Sequence, residues 1–269
     1  MAVSLLTPHL RVLFDSPRLL VVDKPAGVPF HEDAERPGVL QLLRATSAVP
    51  SRLYACHRLD AITSGVLVFA KSQRDAGLLG AAWRSGEVHK LYIALSARRP
   101  SKKMGAVVGD MAPSRRGAWK LLRTELRPAR TQFVSSGVAG TNSRALRGFV
   151  LKPLTGRTHQ LRVAMKALGA PVLGDGLYAN KDDALEEDRA YLHAAAIRLP
   201  PLAPGERGVS VICPPSSGCE FTSDAFADWF AARFLHDWED STDCWFSDDA
   251  QLRTPAPGLS DVWRRVIES

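Results

Sequence analysis

Short runs of apolar residues, many alternating with polar ones, recur along this chain and predict strands more often than helices. Near the N-terminus, Arg11–Phe14 and Leu19–Val22 predict two strands around a turn at Asp15-Ser16-Pro17, and the second run stops at Pro25. Further strands are predicted at Leu53–Cys56, Val66–Ala70, Thr131–Val134, Gly148–Lys152, Tyr191–Leu199 and Gly208–Cys213.

The segment His89–Ser96 alternates clearly, which predicts a strand with Lys90, Tyr92 and Ala94 on one face. Helical patterns are fewer, and they lie at Val39–Leu43, from a capping box at Ser72–Asp75 to about Gly86, at Thr158–Leu168 before Gly169, and at Ser223–Trp238. No regular strand–helix–strand rhythm connects them. The predicted fold class is therefore α+β, with a largely antiparallel or mixed sheet and flanking helices and loops.

The composition indicates that the chain can bury a large core and that its surface is basic. The chain has 269 residues, 45% of them hydrophobic, which excludes a disordered protein. Its net charge is +7, and the basic excess lies in residues 1–235, because six acidic residues and no Lys or Arg lie between His236 and Ala250. A basic body concentrates polyanions, so nucleic acid is a candidate partner. The acidic stretch is interpreted as a solvated extension, and self-screening of the basic surface is the alternative.

Several classes of protein are disfavoured by what the sequence lacks. No apolar run approaches the roughly 20 residues of a membrane helix, and Met1–Leu10 lacks the pattern of a secretory signal. The cysteines show neither CxxC spacing nor the density of a disulfide framework; they are Cys56, Cys213, Cys219 and Cys244. We therefore expect no membrane contact, no metal site and a cytoplasmic location.

Three segments carry candidate chemistry. In Lys90–Ala94, Tyr92 shares a strand face with Lys90 and is either a core aromatic or part of a site. Asp60 lies in the polar loop His57–Gly65 between two apolar strands, where a carboxylate serves either a reaction or the loop's own amides. Leu154–Arg162 opens a helix, and its two arginines beside free N–H groups form either an anion site or a capped helix with solvated side chains. For each segment, the residue pattern alone leaves both alternatives open.

These segments resemble the RluA-type pseudouridine synthases. Four motifs match in order, namely Val22-Asp-Lys24-Pro25-Ala-Gly27 followed by His31, His57-Arg-Leu-Asp60-Ala-Ile-Thr-Ser-Gly65, Lys90-Leu-Tyr92-Ile-Ala94, and Gly156-Arg157-Thr-His159-Gln-Leu-Arg162 with Leu168-Gly169 and Gly174-Asp175 after it. Ala164 and Ala170 depart from the pattern, because many members carry histidine there. The resemblance implies a catalytic domain at 12–235 and an acidic C-terminal extension at 236–269, without the N-terminal RNA-binding domain that some members carry.

The resemblance also implies an activity, namely isomerisation of uridine to pseudouridine within structured RNA, rRNA or tRNA, by a monomer without a cofactor. It gives Asp60 the role of catalytic carboxylate and Tyr92 that of stacking on the flipped uracil while its phenol assists removal of the C5 proton. Arg157 is implied to pair with Asp60 and to favour its ionised form. Substrate contacts are expected from His57, Arg58, Thr63, Lys90, His159 and Arg162.

Three other functions compete with this reading. A hydrolase would use Cys56 or a histidine, but Cys56 and the adjacent His57 point to opposite sides of a strand and cannot pair directly. A metal-dependent nuclease would draw on Asp60, Asp175, His57 and His159, but no compact ligand spacing supports it. A catalytically silent RNA-binding protein would bind RNA and leave its uridines unchanged.

The segment Arg98–Arg123 is strongly basic and punctuated by glycines, which predicts a mobile hairpin or loop that leaves the Tyr92 strand. We interpret it as a clamp on the RNA backbone, and a solvated basic loop is the alternative. The residues expected to contact RNA phosphates are Arg98, Arg99, Lys102, Lys103, Arg115 and Arg116.

Overall fold

The computed structural model describes residues 10–45, 52–180 and 184–235. The predicted acidic extension at 236–269 and the predicted last turn of the closing helix, as far as Trp238, lie outside the described residues. All positions below refer to the described part of the chain.

Twelve strands and four α-helices make up the described fold. The strands are β1 Arg11–Asp15, β2 Leu19–Lys24, β3 Tyr54–Ala55, β4 Ser64–Ala70, β5 His89–Ser96, β6 Met104–Gly109, β7 Met111–Pro113, β8 Trp119–Leu121, β9 Ala129–Ala139, β10 Ala145–Pro153, β11 Leu192–Leu199 and β12 Val209–Ile212. The helices are α1 Val39–Arg44, α2 Gln73–Ser85, α3 Gln160–Ala167 and α4 Asp224–Phe230. Single 3₁₀ turns lie at Arg115–Gly117 and Thr141–Ser143, and a π-helical turn, Ala231–Leu235, follows α4.

Ten of the strands form one mixed sheet. Its order is β1-β2-β4-β11-β5-β10-β9-β6, with β3 paired to β4 and β12 paired to β11, while β7 and β8 form a separate two-stranded hairpin. The pair β4–β11 is parallel, and the other pairs are antiparallel. The predicted α+β class with a mixed sheet is confirmed.

The sheet separates two apolar cores, as the alternation of β5 predicts. Tyr92 and Ala94 pack on the face that α3 covers, with Met165 of that helix. On the opposite face, Leu91, Ile93 and Leu95 pack in one cluster with the aromatic residues of α4, which are Phe226, Trp229 and Phe230. Burial of both faces of the central strands makes the middle of this sheet rigid.

Helix ends follow the predicted signals in one case and depart from them in another. Ser72 caps α2 by accepting a hydrogen bond from the Asp75 amide at 3.0 Å, and Gly86 ends that helix with φ +82°. The start of α3, predicted at about Thr158, lies two residues later, at Gln160. His159 adopts a left-handed conformation with φ +56°, which an α-helix of L-residues does not accommodate.

The sheet forks at its centre, where one edge of β11 pairs with two different strands, and Gly65 allows the close approach that this fork requires. One end of β11 pairs with β4 through His193 and Ala194, and the other end pairs with β12 along the same edge. Gly65 has φ +104°, and a Cβ atom there would lie 2.2 Å from the carbonyl oxygen of Ala194. The buried His193 ring fixes the fork, because it bonds Ser64 Oγ at 2.7 Å and the Cys213 carbonyl at 2.6 Å.

We expect Gly65→Ala to lower the free energy of unfolding by about 2–5 kcal/mol, because it adds both backbone strain and a backbone clash. Gly77→Ala is the matched control. It lies in α2 with open space around the new Cβ, so stability stays unchanged or rises by up to about 1 kcal/mol. Urea unfolding measures both variants, and equal stability of the two would contradict the role of this contact.

Candidate active site

Residues of distant sequence position lie opposite one another across the sheet centre. The cross-strand row runs through β2, β4, β11, β5 and β10 and contains Lys24, Gly65, Ala194, Tyr92 and Leu151. Side chains of directly opposed residues share a face. Lys24 and Tyr92 therefore lie on the face covered by α3, where the loop that carries Asp60 also ends.

Asp60 stands at the start of a tight turn into β4, which the Thr63 amide closes by donating to the Asp60 carbonyl at 3.0 Å. Its carboxylate accepts a hydrogen bond from Arg162 Nη1 at 3.3 Å. Arg162 belongs to the first turn of α3, and its side chain is only 7% exposed, whereas that of Asp60 is 21% exposed. The carboxylate is thus paired on one side and open to solvent on the other.

Arg162 is itself held by a second carboxylate. Its Nε and Nη2 donate to the two oxygens of the buried Asp175 at 2.7 and 2.9 Å. Asp175 also accepts hydrogen bonds from the amides of Leu177 and Tyr178. Two parallel bonds fix the plane of the guanidinium, so Nη1 is aimed at Asp60.

The predicted pairing of Arg157 with Asp60 is wrong. Arg157 lies in the loop before α3, and its Nη2 contacts the carbonyl of Arg127 at 3.5 Å. Gln160 fixes this loop, because its Oε1 accepts from the Arg157 amide at 2.9 Å. The left-handed turn at His159 separates the loop from the helix, so the arginine that follows this turn, Arg162, reaches the carboxylate.

His159 and Tyr178 form the wall beside Asp60. His159 Nε2 lies 4.0 Å from Asp60 Oδ2, and its Nδ1 lies 2.9 Å from the Tyr178 hydroxyl, which accepts a hydrogen bond from the Trp119 amide at 2.7 Å. Burial lowers the pKa of His159, although the charge of Asp60 opposes this effect. The Arg162 guanidinium lies over the Tyr178 ring, 4.9 Å from its centre. The sequence analysis missed Tyr178, although it lies just after the quoted Gly174-Asp175.

Two buried side chains, those of Lys24 and Tyr92, lie beneath Asp60 on the same face of the sheet. Lys24 Nζ donates to the carbonyls of Pro25, Val28 and Ala61, the last of which adjoins Asp60, and burial lowers the Lys24 pKa to about 7. Burial, with the charge of Asp60, raises the pKa of the Tyr92 phenol, so the hydroxyl stays protonated at neutral pH. The sequence analysis quoted Lys24 within a motif without giving it a role. Its three carbonyl partners show that it ties together the two loops at this site.

Comparison with known proteins identifies the family to which this chain belongs. The family model described as RNA pseudouridylate synthase matches residues 18–167. The chain belongs to this family.

Individual relatives agree with that membership. An uncharacterized RNA pseudouridine synthase of Haemophilus influenzae is 40% identical over 210 residues, which are 78% of this chain and 89% of the relative. The dual-specificity RNA pseudouridine synthase RluA of Escherichia coli is 32% identical over 71% of this chain and 87% of its own length. Among solved structures, human RNA pseudouridylate synthase domain containing 1 aligns with a TM-score of 0.66 and 27% identity, over 78% of this chain and 84% of that one. The enzyme is thus an RNA pseudouridine synthase.

Several predicted substrate contacts have structural partners in this enzyme. His57 Nε2 accepts from the Val68 amide at 3.0 Å, the ring stacks on Trp83, and burial lowers its pKa to about 3. Thr63 is buried in the Asp60 turn, Lys90 has a pKa lowered by burial, and Arg58 is exposed. The substrate contacts of all four residues stay predictions. The His57 ring already has partners within the protein, namely the Val68 amide and the Trp83 ring.

The described residues provide little support for a cysteine hydrolase or for a metal-dependent nuclease. Burial raises the pKa of the Cys56 thiol to about 11, which makes it a poor nucleophile. No group of three or more His, Cys, Asp or Glu side chains in residues 10–45, 52–180 and 184–235 is placed to hold a metal ion. Within the same ranges, no helix is long and apolar enough to cross a membrane.

The basic segment Arg98–Arg123 does not form one loop. Met104–Gly109 pairs with β9 as an edge strand of the main sheet, so the prediction of a single mobile hairpin or loop over the whole segment is wrong. A β6 of six residues spans about 17 Å, which separates Lys103 at one end from the β7–β8 hairpin at the other. The hairpin tip carries the exposed Arg115 and Arg116, and its β8 strand contacts Tyr178.

We expect Arg162→Gln to lower the free energy of unfolding by about 3–5 kcal/mol, because it leaves the buried Asp175 without its cation. Product formation falls as well, since Asp60 loses its partner. Arg157→Gln serves as the matched control and changes stability by less than about 1 kcal/mol. Urea unfolding and a turnover assay measure both, and a larger loss of either quantity in Arg157→Gln would restore the original assignment.

Proposed function

We propose that this enzyme isomerises uridine to pseudouridine within structured RNA, either rRNA or tRNA, with Asp60 as the catalytic carboxylate. We also propose that it acts in the cytoplasm as a monomer without an external cofactor. The observation that supports the proposal best is the carboxylate of Asp60, which is paired with a fixed guanidinium and shares the α3 face with a buried aromatic ring. An ionised carboxylate next to a flat apolar surface suits a polar, planar base.

The reaction breaks the N1–C1′ bond, turns the base, forms a C5–C1′ bond and removes the proton from C5. Asp60 assists bond cleavage by attacking or stabilising the sugar carbon or the base. A carboxylate needs no general base for this role, only ionisation and close placement. Arg162 supports the placement, because the hydrogen bond from its Nη1 restricts the rotation of the Asp60 side chain.

Tyr92 has two roles in this proposal. Its ring stacks on the extruded uracil and replaces the neighbours that the base had in RNA, worth about 1–3 kcal/mol. Its phenol relays the C5 proton. Because the raised pKa keeps the phenol protonated, the hydroxyl gives its own proton to Asp60 as it accepts the one from C5.

The β7–β8 hairpin is the best-placed part of the basic segment to hold RNA near the reacting base. Its tip presents two arginines to solvent, and its β8 strand contacts the wall of the site through Tyr178. Phosphate contacts of this kind supply affinity without base recognition. Arg98, Arg99 and Lys102 are exposed on the connection from β5 to β6, and their phosphate contacts stay predictions.

Asp60→Asn tests the catalytic assignment. The variant keeps the shape of the side chain and the wild-type RNA affinity, but it loses at least about 1,000-fold in turnover, measured as tritium released from C5-labelled uridine in RNA. Turnover within tenfold of wild type would remove Asp60 from the mechanism.

The same assay discriminates the proposed enzyme from a catalytically silent RNA-binding protein. The wild-type chain releases tritium in the first case and none in the second, while both bind RNA. Pseudouridine mapping across total RNA, with and without this gene, then identifies the RNA target.

Tyr92→Phe separates stacking from proton relay. The phenyl ring stacks as well as the phenol does, so RNA affinity stays within about twofold of wild type, whereas product formation slows by about 100-fold. Single-turnover kinetics with C5-deuterated uridine show an increased isotope effect if proton removal has become limiting. An unchanged rate would leave Tyr92 with the stacking role alone.

A further inference from the structure

The hydroxyl of Tyr178 connects the β7–β8 hairpin to the proposed active site. Tyr178 is buried, and its ring stands edge-on to the His159 imidazole, with 5.7 Å between the ring centres and 89° between the planes. The hydroxyl oxygen lies 2.7 Å from the Trp119 amide nitrogen of β8 and 2.9 Å from His159 Nδ1. Within the described residues, these two groups are its hydrogen-bond partners.

The direction of these two hydrogen bonds depends on which atoms can donate a proton. A backbone N–H only donates, so the Tyr178 oxygen accepts from Trp119. Burial raises the pKa of the Tyr178 phenol, so the hydroxyl keeps its own proton at neutral pH. Of the two partners, only His159 Nδ1 can accept that proton. Because a buried hydroxyl proton without an acceptor is unfavourable, this arrangement favours an Nδ1 that accepts and therefore carries no proton.

The surroundings of the His159 imidazole favour its neutral form. Burial lowers the pKa of His159, the charge of Asp60 opposes this effect, and the charge of Arg162 adds to it. A neutral imidazole has one N–H, so a bare Nδ1 places that N–H on Nε2. His159 Nε2 faces Asp60 Oδ2 at 4.0 Å, and Arg162 Nη1 donates to the same oxygen. Two nitrogen donors thus face one oxygen of the carboxylate, which leaves Oδ1 to meet the substrate.

We propose that Tyr178 is a positioning residue, whose hydroxyl holds His159 in the tautomer with its proton on Nε2, so that the ring directs a donor toward Asp60. The inference rests on the proposed function, because it gives Asp60 the catalytic role. A separation of 4.0 Å is longer than a hydrogen bond, and it shortens when RNA fills the site, since catalytic hydrogen bonds often tighten only in the complex with substrate.

The hairpin takes part in this arrangement through its backbone. The Trp119 N–H occupies an acceptor position of the Tyr178 oxygen, so the place of β8 determines where the hydroxyl proton points. The same phenol ring lies under the Arg162 guanidinium, 4.9 Å from its centre. Tyr178 therefore contacts both residues that face Asp60 Oδ2.

The first experiment observes the tautomer directly by NMR of the full chain with ¹⁵N-labelled histidine. The nitrogen chemical shifts distinguish a protonated from a bare ring nitrogen, and the spectrum of His159→Gln identifies the His159 signals by their loss. We expect a protonated Nε2 and a bare Nδ1 in the wild type, and a mixture of both tautomers in Tyr178→Phe. A protonated Nδ1 in the wild type, or an unchanged tautomer in Tyr178→Phe, would overturn the proposal.

The second experiment measures turnover and RNA binding of Tyr178→Phe, which keeps the ring and loses only the hydroxyl. We expect kcat to fall by about tenfold, because the donor beside Asp60 is misplaced, while Kd for a uridine-containing RNA stem–loop stays within about threefold of wild type. A rise in Kd with unchanged kcat means that Tyr178 only anchors the hairpin, and it would overturn the proposal.

Tyr191→Phe is the matched control. It also removes a buried hydroxyl, which bonds Asp188 and the Glu220 amide, in the core on the opposite face of the sheet. We expect both variants to unfold at lower urea concentrations than wild type, whereas kcat of Tyr191→Phe stays within about twofold of wild type. An equal fall of kcat in the two variants means a general loss of stability and contradicts a positioning role.

Two substitutions of His159 separate its donor from its backbone conformation. A glutamine amide reaches the place of Nε2 with an N–H, whereas the shorter asparagine amide reaches only the place of Nδ1. Asparagine accepts the left-handed φ of +56° more readily, so His159→Asn is the more stable variant in urea. We nevertheless expect His159→Gln to keep about fivefold more turnover. Turnover that follows the order of stability means that residue 159 serves the backbone alone, which would overturn the proposal.

Failure of the proposed function is seen separately. In that case the wild-type protein binds RNA but releases no tritium, whereas the NMR experiment needs neither RNA nor turnover. The tautomer of His159 and the activity of the enzyme thus report on the two proposals independently.

Discussion

One buried cation organises the site. Arg162 sits among apolar residues of α3, where an unpaired charge would be strongly unfavourable. Asp175 neutralises it through two hydrogen bonds and leaves one nitrogen, Nη1, for Asp60. The carboxylate proposed to be catalytic therefore owes its position to a second carboxylate that does not face the substrate. Arg162 is the shared partner of both carboxylates, so its removal would leave Asp60 and Asp175 without their cation.

These three residues work together only because the sheet centre brings four distant segments together. The fork at Gly65 lets β4 approach β11 closely, which sets Asp60 over the row that contains Lys24 and Tyr92. Lys24 then ties the Asp60 loop to the loop after β2 by bonding carbonyls of both. A rigid centre buried on both faces limits how far these groups can move apart.

Unlike the three charged residues around Arg162, the basic residues of the segment Arg98–Arg123 do not form one cluster, because they are spread along the edge of the fold. β6 divides the basic segment, so that Lys103 lies at one end while Arg115 and Arg116 lie at the other. RNA is long and uniformly charged, so separated contacts suit it better than a single cluster. The residues proposed to hold RNA and those proposed to react thus lie in different parts of the fold.

The sequence by itself determined the local features of this protein and several of the residues at its site, Asp60 and Tyr92 among them. The alternation of His89–Ser96 fixes two faces of a strand, Ser72 and Gly86 mark the ends of a helix, and the motif around Asp60 identifies the family. Such signals depend on neighbours a few residues apart, which any stretch of chain carries with it.

Only the tertiary structure decided which residues meet. The choice of Arg162 over Arg157 depends on one left-handed residue, His159, that turns the chain before α3. The partners of Lys24 and the division of the basic segment depend on strand register and sheet order. These relations join positions up to about a hundred residues apart, and long-range packing sets them, so a local pattern of side chains does not contain them.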